Sequence, residues 1–424
     1  MFENIKELLL KKPVLDDELK HELYLNYIKV RDTSDENRNF NPEDELFLLF
    51  NKKNDTEIQR ECNGIIFERK TNKIVAACQN DFENEFPEDI DNFISAEYCE
   101  DGTVIRLYNH KGIWMTCTKK CINAKTSYWS SLKSFNDMFW EIFGNTKFDI
   151  TNLDKNCTYL FSLLHMDNIL VVRHDKNELV YLGSINNDTC EFDSDSQFKL
   201  FECNENIKLP KSLSLTMDDV KHIKEIHLNK DLTVPVVDAC VGTDDIVNDM
   251  ENLNVEVVSE VNTNVKVINT VTKYFNRTKR GIILKFTGNR MFKIDFNEFV
   301  FMQNIRGNEP LIRNRYLRLL NDDDSLKILV NYYPEHHFVF SMIYHNLLVV
   351  CNDIYLMYRN THIKHLTRID ESHLYFITIR QLHGQYKKTN VPITKMDVFL
   401  KLKGYNLFVL KKLLRWTDGP SIQH

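Results

Sequence analysis

Between Cys62 and about Phe201 the apolar residues come in short runs closed by polar turn clusters, and that rhythm confines the stretch to β-strands. Gly64-Ile65-Ile66-Phe67, Thr103-Val104-Ile105-Arg106-Leu107-Tyr108 and Ile169-Leu170-Val171-Val172 are such runs, and Lys70-Thr71-Asn72-Lys73 is such a cluster. One helix, from about Lys119 to Phe135, is expected to interrupt them. Ahead of them, residues 2–11 and 15–29 read as helices. Ile5, Leu8 and Leu9 share a face of the first, and Leu15, Leu19, Leu23 and Tyr27 a face of the second. Two more strands are expected at Gly281–Phe286 and Arg290–Asp295. After Arg306 the pattern turns helical as far as Trp416, dense in residues such as Phe338, Phe340, Ile343, Leu347 and Leu348. The expected class is α+β: sheets with flanking helices over residues 1–304, then a mostly helical, basic domain over 305–424. Residues 204–270 stand apart. A helix at Thr216–His227 leads into an acidic, Asn- and Val-rich stretch from Asp244 to Asn264, so the segment reads as an insertion or mobile loop.

The 424 residues suffice for two or three domains, and 43% hydrophobic content excludes a disordered chain. The vocabulary leans on Asn, Lys, Asp and Ile, as in A/T-rich viral or plasmid genes. Met1-Phe2-Glu3-Asn4-Ile5-Lys6 is too polar for a secretory signal. No apolar run of about 18 residues is evident, so no membrane partner and a cytoplasmic location are expected. The ten cysteines are scattered, with Cys117 and Cys121 the closest pair, and read as reduced thiols. His336, His337, His362 and His365 lack the companions of a metal site.

The net charge of −7 conceals an asymmetry. Residues 305–424 hold 17 Lys and Arg against 10 Asp and Glu, and residues 1–304 hold 37 against 51. An anionic partner is therefore expected at the C-terminal third. Arg306, Arg313, Arg315, Arg318, Lys387, Lys388, Lys411, Lys412 and Arg415 are the candidate contacts, interleaved with Tyr316, Tyr386, Tyr405 and Trp416. Cations position phosphates and aromatic rings stack unpaired bases, so this composition suits RNA.

Five segments resemble, in order, the RNA ligases of the bacteriophage RNA ligase 1 type, over roughly residues 25–310. Glu61-Cys62-Asn63-Gly64-Ile65-Ile66-Phe67 matches a family segment with Arg where Asn63 stands, and Ala77 to Phe86 follows with its cations replaced. Cys99-Glu100-Asp101-Gly102-Thr103 resembles the nucleophile motif, in which a Lys at the first position attacks the α-phosphate of ATP. Tyr159-Leu160-Phe161-Ser162-Leu163 matches a segment whose Glu, at the Ser162 position, contacts the nucleoside sugar. Lys279-Arg280-Gly281-Ile282-Ile283-Leu284 places Arg280 where the family has a metal-binding Glu. Phe292-Lys293-Ile294-Asp295 keeps one phosphate-binding Lys and puts Asp295 in place of the other.

The resemblance implies a nucleotidyltransferase-like (ATP-grasp-like) fold of antiparallel sheets. Asp101, Gly102, Gly281 and Lys293 are then remnants of a nucleotide pocket, and Cys99, Asn63, Ser162, Arg280 and Asp295 are its degenerate positions. A covalent nucleotidyl transfer needs an activated amine, and here it is missing. The expected protein is thus a catalytically inactive RNA ligase-like chain that binds RNA, with tRNA the natural guess. It would need no cofactor. Immunity against a tRNA-cleaving toxin would use such a protein. Two alternatives stand beside it: an active repair ligase using ATP and Mg²⁺ with its nucleophile elsewhere, Lys119 or Lys120 among the candidates, and a scaffold that binds a toxin, nuclease or polymerase partner.

Overall fold

A computed structural model describes residues 3–11, 17–32, 46–53, 55–69, 71–146, 148–193, 198–201, 204–228 and 279–416. Within them the chain is a mixed α/β protein with largely antiparallel sheets and many helices. It divides into two compact units, Met1–Val300 and Phe301–His424.

The first unit opens with helices α1 (Glu3–Lys11) and α2 (Asp17–Leu25). Strands β1 (Ile28–Asp32) and β2 (Leu46–Asn51), helix α3 (Glu57–Glu61) and strands β3 (Asn63–Glu68) and β4 (Ile74–Ala76) follow. The four strands form one sheet in the order β1-β2-β3-β4. Every residue of β2 is buried, because its alternate side chains serve two cores. Phe47 and Leu49 meet Ile5, Leu9, Leu19 and Leu23 of the helices, while Leu46, Leu48 and Phe50 meet Ile66, Tyr108 and Cys117. Glu61, at the end of α3, ties α1 to that helix by accepting from the N–H of Ile5 at 2.9 Å. A carboxylate at a helix N-terminus satisfies an otherwise orphaned donor and complements the dipole.

Next come β5 (Phe93–Cys99), β6 (Thr103–His110), β7 (Ile113–Cys117), helix α4 (Phe135–Gly144), β8 (Cys157–Leu164) and β9 (Glu178–Asn186). Short strands β10 (Phe192–Asp193), β11 (Ile207–Lys208) and β12 (Ser212–Leu213) precede helix α5 (Met217–Leu228). Strands β13 (Gly281–Phe286) and β14 (Arg290–Asp295) close the unit. A six-stranded sheet runs β10-β9-β8-β6-β7 with β11 added beside β9, and a four-stranded sheet runs β12-β5-β13-β14. Phe139, Phe143, Phe161, Tyr181 and Phe201 fill the core between α4 and the larger sheet.

Several expectations are corrected here. The second helix stops at Leu25, because Tyr27 has a φ of 58°, and Ile28–Asp32 is a strand. The interrupting helix begins at Phe135, where the Ser134 hydroxyl accepts from the Asp137 N–H at 3.1 Å, and not near Lys119. Residues 170–172 are bends and Ile169 is irregular, so the 169–172 run is not a strand. The 204–228 part of the supposed insertion belongs to the sheets through β11 and β12. The acidic stretch 244–264 lies outside the described residues.

Helix α6 (Asn297–Arg306) begins at the end of the first unit. The second unit contains α7 (Ile312–Arg318), α8 (Asp323–Tyr332), α9 (His337–Tyr358), α10 (Phe376–Thr389), α11 (Lys395–Lys403) and α12 (Leu407–Leu413). Residues Pro334–Ile363 form a helical run long and apolar enough to cross a membrane by length and composition, which corrects the expectation that the chain has no such run. Its buried residues Phe340, Ile343, Leu347, Val350, Ile354 and Tyr358 recur every three or four positions, as on a helix packed along one side. α11 packs against it, and Tyr316 of α7 stacks on Phe340 at 5.3 Å.

Candidate functional site

The end of β5 carries Cys99, and antiparallel pairing sets Gly281 of β13 opposite it. The Arg280 N–H donates to the Cys99 carbonyl at 2.9 Å. β14 then sets Asp295 opposite Gly281. A side chain on Gly281 would meet the Ile294 carbonyl oxygen at 2.0 Å, so only glycine permits this approach. Two segments far apart in the chain, the end of β5 with its following turn and the β13–β14 hairpin, thus converge on one strand end, where Lys293, Arg280, Asp295 and Asp101 all act electrostatically on the Cys99 thiol.

The Arg280 guanidinium grips Asp295 with two bonds, Nε to Oδ1 at 2.8 Å and Nη2 to Oδ2 at 3.0 Å. It also lies over the Phe299 ring at 4.9 Å. Such a fork is the strong geometry for an arginine–carboxylate pair. Arg280 and Asp295 were expected to oppose metal and phosphate separately; instead they satisfy each other. Lys293 approaches the same carboxylate at 3.8 Å and faces the Phe82 ring at 5.2 Å. Lys279 is paired with Glu100.

Asp101 is buried and structural. Its Oδ2 accepts from the N–H groups of Val171 and Val172, each at 2.8 Å, and this capture explains why 169–172 do not pair as a strand. Gly102 abuts Ser162, whose Oγ would stand 2.2 Å from a Cβ at that glycine. Ser162 is itself buried in β8, opposite Val104. Asn63 lies at the start of β3 and donates to the Gln79 carbonyl at 2.9 Å. Of the positions that the resemblance assigns to a nucleotide pocket, Cys99, Asp101, Arg280, Lys293 and Asp295 are clustered, Ser162 adjoins the cluster through Gly102, and Asn63 belongs to the first sheet.

Cys99 is 8% exposed, and burial pushes its thiol up to about 12. A thiol this high is protonated at neutral pH and is a poor nucleophile. Cys78 is likewise pushed up to about 12 by burial. The unfolded chain ionises these thiols near 9, while the folded chain keeps them protonated to about 12. Above pH 9 the unfolded state therefore binds fewer protons, and stability falls as pH rises toward 12. The loss is on the order of 1 kcal/mol per pH unit for each thiol. Thermal melts between pH 8 and 11 should show this decline, and Cys78→Ala/Cys99→Ala should make it shallower, with Cys62 and Cys157, also raised by burial, sustaining the rest.

Sequence reasoning missed Arg106, which is 3% exposed and donates to the carbonyls of Ala77 at 3.2 Å and Thr118 at 2.8 Å. It fastens the turn bearing Lys119 and Lys120 to the strand-to-loop turn after β4. A lone arginine amid Ile105 and Leu107 was the available signal.

The proposed C-terminal contacts separate into two groups. Arg306 is buried, with Nη1 donating to the Glu309 carbonyl at 2.6 Å, so it is not an RNA contact. Arg315 donates Nε to the Ile305 carbonyl at 2.6 Å, and Arg318 pairs with Glu309 at 2.5 Å. Arg313 lies over the Trp416 ring at 5.7 Å. Lys387, Lys388, Lys412 and Arg415 are exposed, and Lys411 is partly so. His362 stacks on His383 at 4.0 Å, and His337 Nε2 meets the Val330 carbonyl at 2.9 Å. Among the described residues no group of three or more His, Cys, Asp and Glu could hold a metal ion.

No family model matches the chain, and no curated protein matches it. Solved structures that it is similar to are ATP-dependent ligases. A "Putative ATP-dependent DNA ligase from Aquifex aeolicus" is 11% identical with a TM-score of 0.39, over 88% of this chain and 80% of that one. An archaeal ATP-dependent RNA ligase in its form 1 is 10% identical with a TM-score of 0.35, over 96% and 81%. An archaeal ATP-dependent RNA ligase in its form 2 is 6% identical with a TM-score of 0.35, over 77% and 72%.

Proposed function

We propose that this chain is a nucleotidyltransferase-like protein that forms no nucleotidyl bond and binds RNA, with tRNA or its cleaved form the RNA engaged. The observation that supports it is the end of β5. A buried, protonated thiol stands where the resembled ligases need an amine, beside a closed Arg280–Asp295 pair. The residues present do not fit ATP with its magnesium. A guanidinium occupies the position of the metal carboxylate, and a carboxylate occupies that of a phosphate cation. Exposed cations such as Lys387, Lys388, Lys412 and Arg415 supply phosphate contacts. Occupying an RNA that a toxin nuclease would otherwise cut is the use that fits binding without ligation.

Filter binding to tRNA across a salt series tests the RNA reading. The affinity should fall linearly with salt on logarithmic axes, and tRNA should be held more tightly than heparin at each salt. Binding no tighter than to that polyanion would sink the RNA reading in favour of a protein-interaction scaffold.

A further inference from the structure

A cleft of about 560 Å³ opens beside β1, lined by Lys29, Arg31, Lys52, Lys53, Lys119 and Lys120. Among the described residues Asp81 is its one acidic lining residue, and it is already held by Lys119 at 2.7 Å. The local sequence builds this cleft directly. Lys29 and Arg31 alternate along β1 and so share a face, with Lys29 opposite Phe50 of β2. Lys52 and Lys53 follow β2, where the Lys52 N–H donates to the Tyr27 carbonyl at 2.9 Å. Arg31 Nη1 donates to the Lys120 carbonyl at 2.6 Å and so fixes the far wall. A cleft lined by one sign of charge concentrates anions, even on a chain whose net charge is −7.

Two further observations narrow the ligand. Asn51 lines the cleft at 5% exposure, and its Oδ1 is buried with no hydrogen-bond partner among the described residues. A buried acceptor left unpaired costs stability unless a donor arrives. Phosphodiester oxygens only accept, whereas the ribose 2′-hydroxyl donates. Beside the cleft, Tyr24 and Tyr27 are 67% and 49% exposed, and their rings lie 5.9 and 4.2 Å from the ammonium groups of Lys52 and Lys53. The left-handed φ of 58° at Tyr27 is rare for a bulky residue.

We propose that this cleft seats single-stranded RNA: phosphates on its lysines, a 2′-hydroxyl on Asn51 Oδ1, and unpaired bases on Tyr24 and Tyr27. The assignment rests on the RNA reading above and places a principal contact in the first unit, where the sequence placed none.

Fluorescence anisotropy of the full chain tests it, with a mixed-sequence single-stranded RNA and DNA of the same sequence as probes. Lys52→Glu/Lys53→Glu changes exposed side chains. It should weaken RNA binding on the order of tenfold or more and flatten the salt dependence. Tyr24→Ala/Tyr27→Asn, which tolerates the left-handed backbone, should weaken binding roughly tenfold with the salt dependence unchanged. DNA should bind more weakly than RNA. If the wild type binds RNA and both variants bind equally well, the cleft is overturned while the RNA reading stands. A loss seen only in Lys387→Glu/Lys388→Glu overturns the cleft in the same way. Equal affinity for DNA overturns the 2′-hydroxyl assignment, and a wild type that binds no RNA overturns both readings.

Discussion

Gly281→Ala should destabilise the first unit by about 3 kcal/mol, at the upper end of the range for overpacking. The new methyl would stand 2.0 Å from the Ile294 carbonyl oxygen, 2.8 Å from Asp295 Cα and 2.9 Å from the Ile294 carbonyl carbon. All three are backbone atoms of β14, so no side chain can rotate aside. Relief requires β14 to move away from β13, and with it Lys293 and Asp295 would leave the Cys99 strand end. Gly384→Ala in α10 is the control, because nothing lies within 4 Å of the added carbon. It should gain about 0.5–1 kcal/mol from helix propensity alone. Urea unfolding of the two variants beside the wild type measures both effects. A Gly281→Ala midpoint equal to that of wild type would contradict the seating of β13 between β5 and β14.

Cys99→Lys is expected to form no protein–AMP adduct, although it restores the one residue that a ligase needs most. Burial and the nearby Arg280 and Lys293 would favour the neutral, nucleophilic form of an amine at this position. The obstacle lies in the surrounding charges. The resemblance asks for a carboxylate at position 280 and a cation at 295. In this chain the two signs are exchanged, and the exchanged groups bind each other at 2.8 and 3.0 Å. A metal would meet the guanidinium and a triphosphate would meet Asp295. Opening the pair to accept either ligand leaves a half-buried charge without its partner, which is costly. The pair joins the segment before β13 to the end of β14. Positions 280 and 295 are therefore coupled.

How far the sequence could be read depended on whether the deciding interaction was local. β13 and β14 were legible to the residue, since each is a short apolar run bounded by turn residues. α4 was misplaced although its capping signal, Ser134 three residues before Asp137, was present. The 169–172 run has strand composition, but a carboxylate 70 residues earlier takes its N–H groups, and no local pattern reveals that. Arg306 announced its charge but not its burial. The basic cleft stayed hidden because residues 15–29 read as one helix. Once Tyr27 breaks that helix, Lys29 and Arg31 fall on a strand and on a single face. The pairing of Arg280 with Asp295 depends on β13 lying beside β14, so each residue alone looked like a separate loss.

On the proposed function, the Cys99 strand end supports no nucleotidyl transfer. Incubating the wild-type chain and Cys99→Lys with α-labelled ATP and Mg²⁺, then reading label on denatured protein, tests it most directly. The account predicts no label on either protein. A stable adduct on the wild-type chain, mapped by peptide analysis to Lys119, Lys120 or any other lysine, would contradict it.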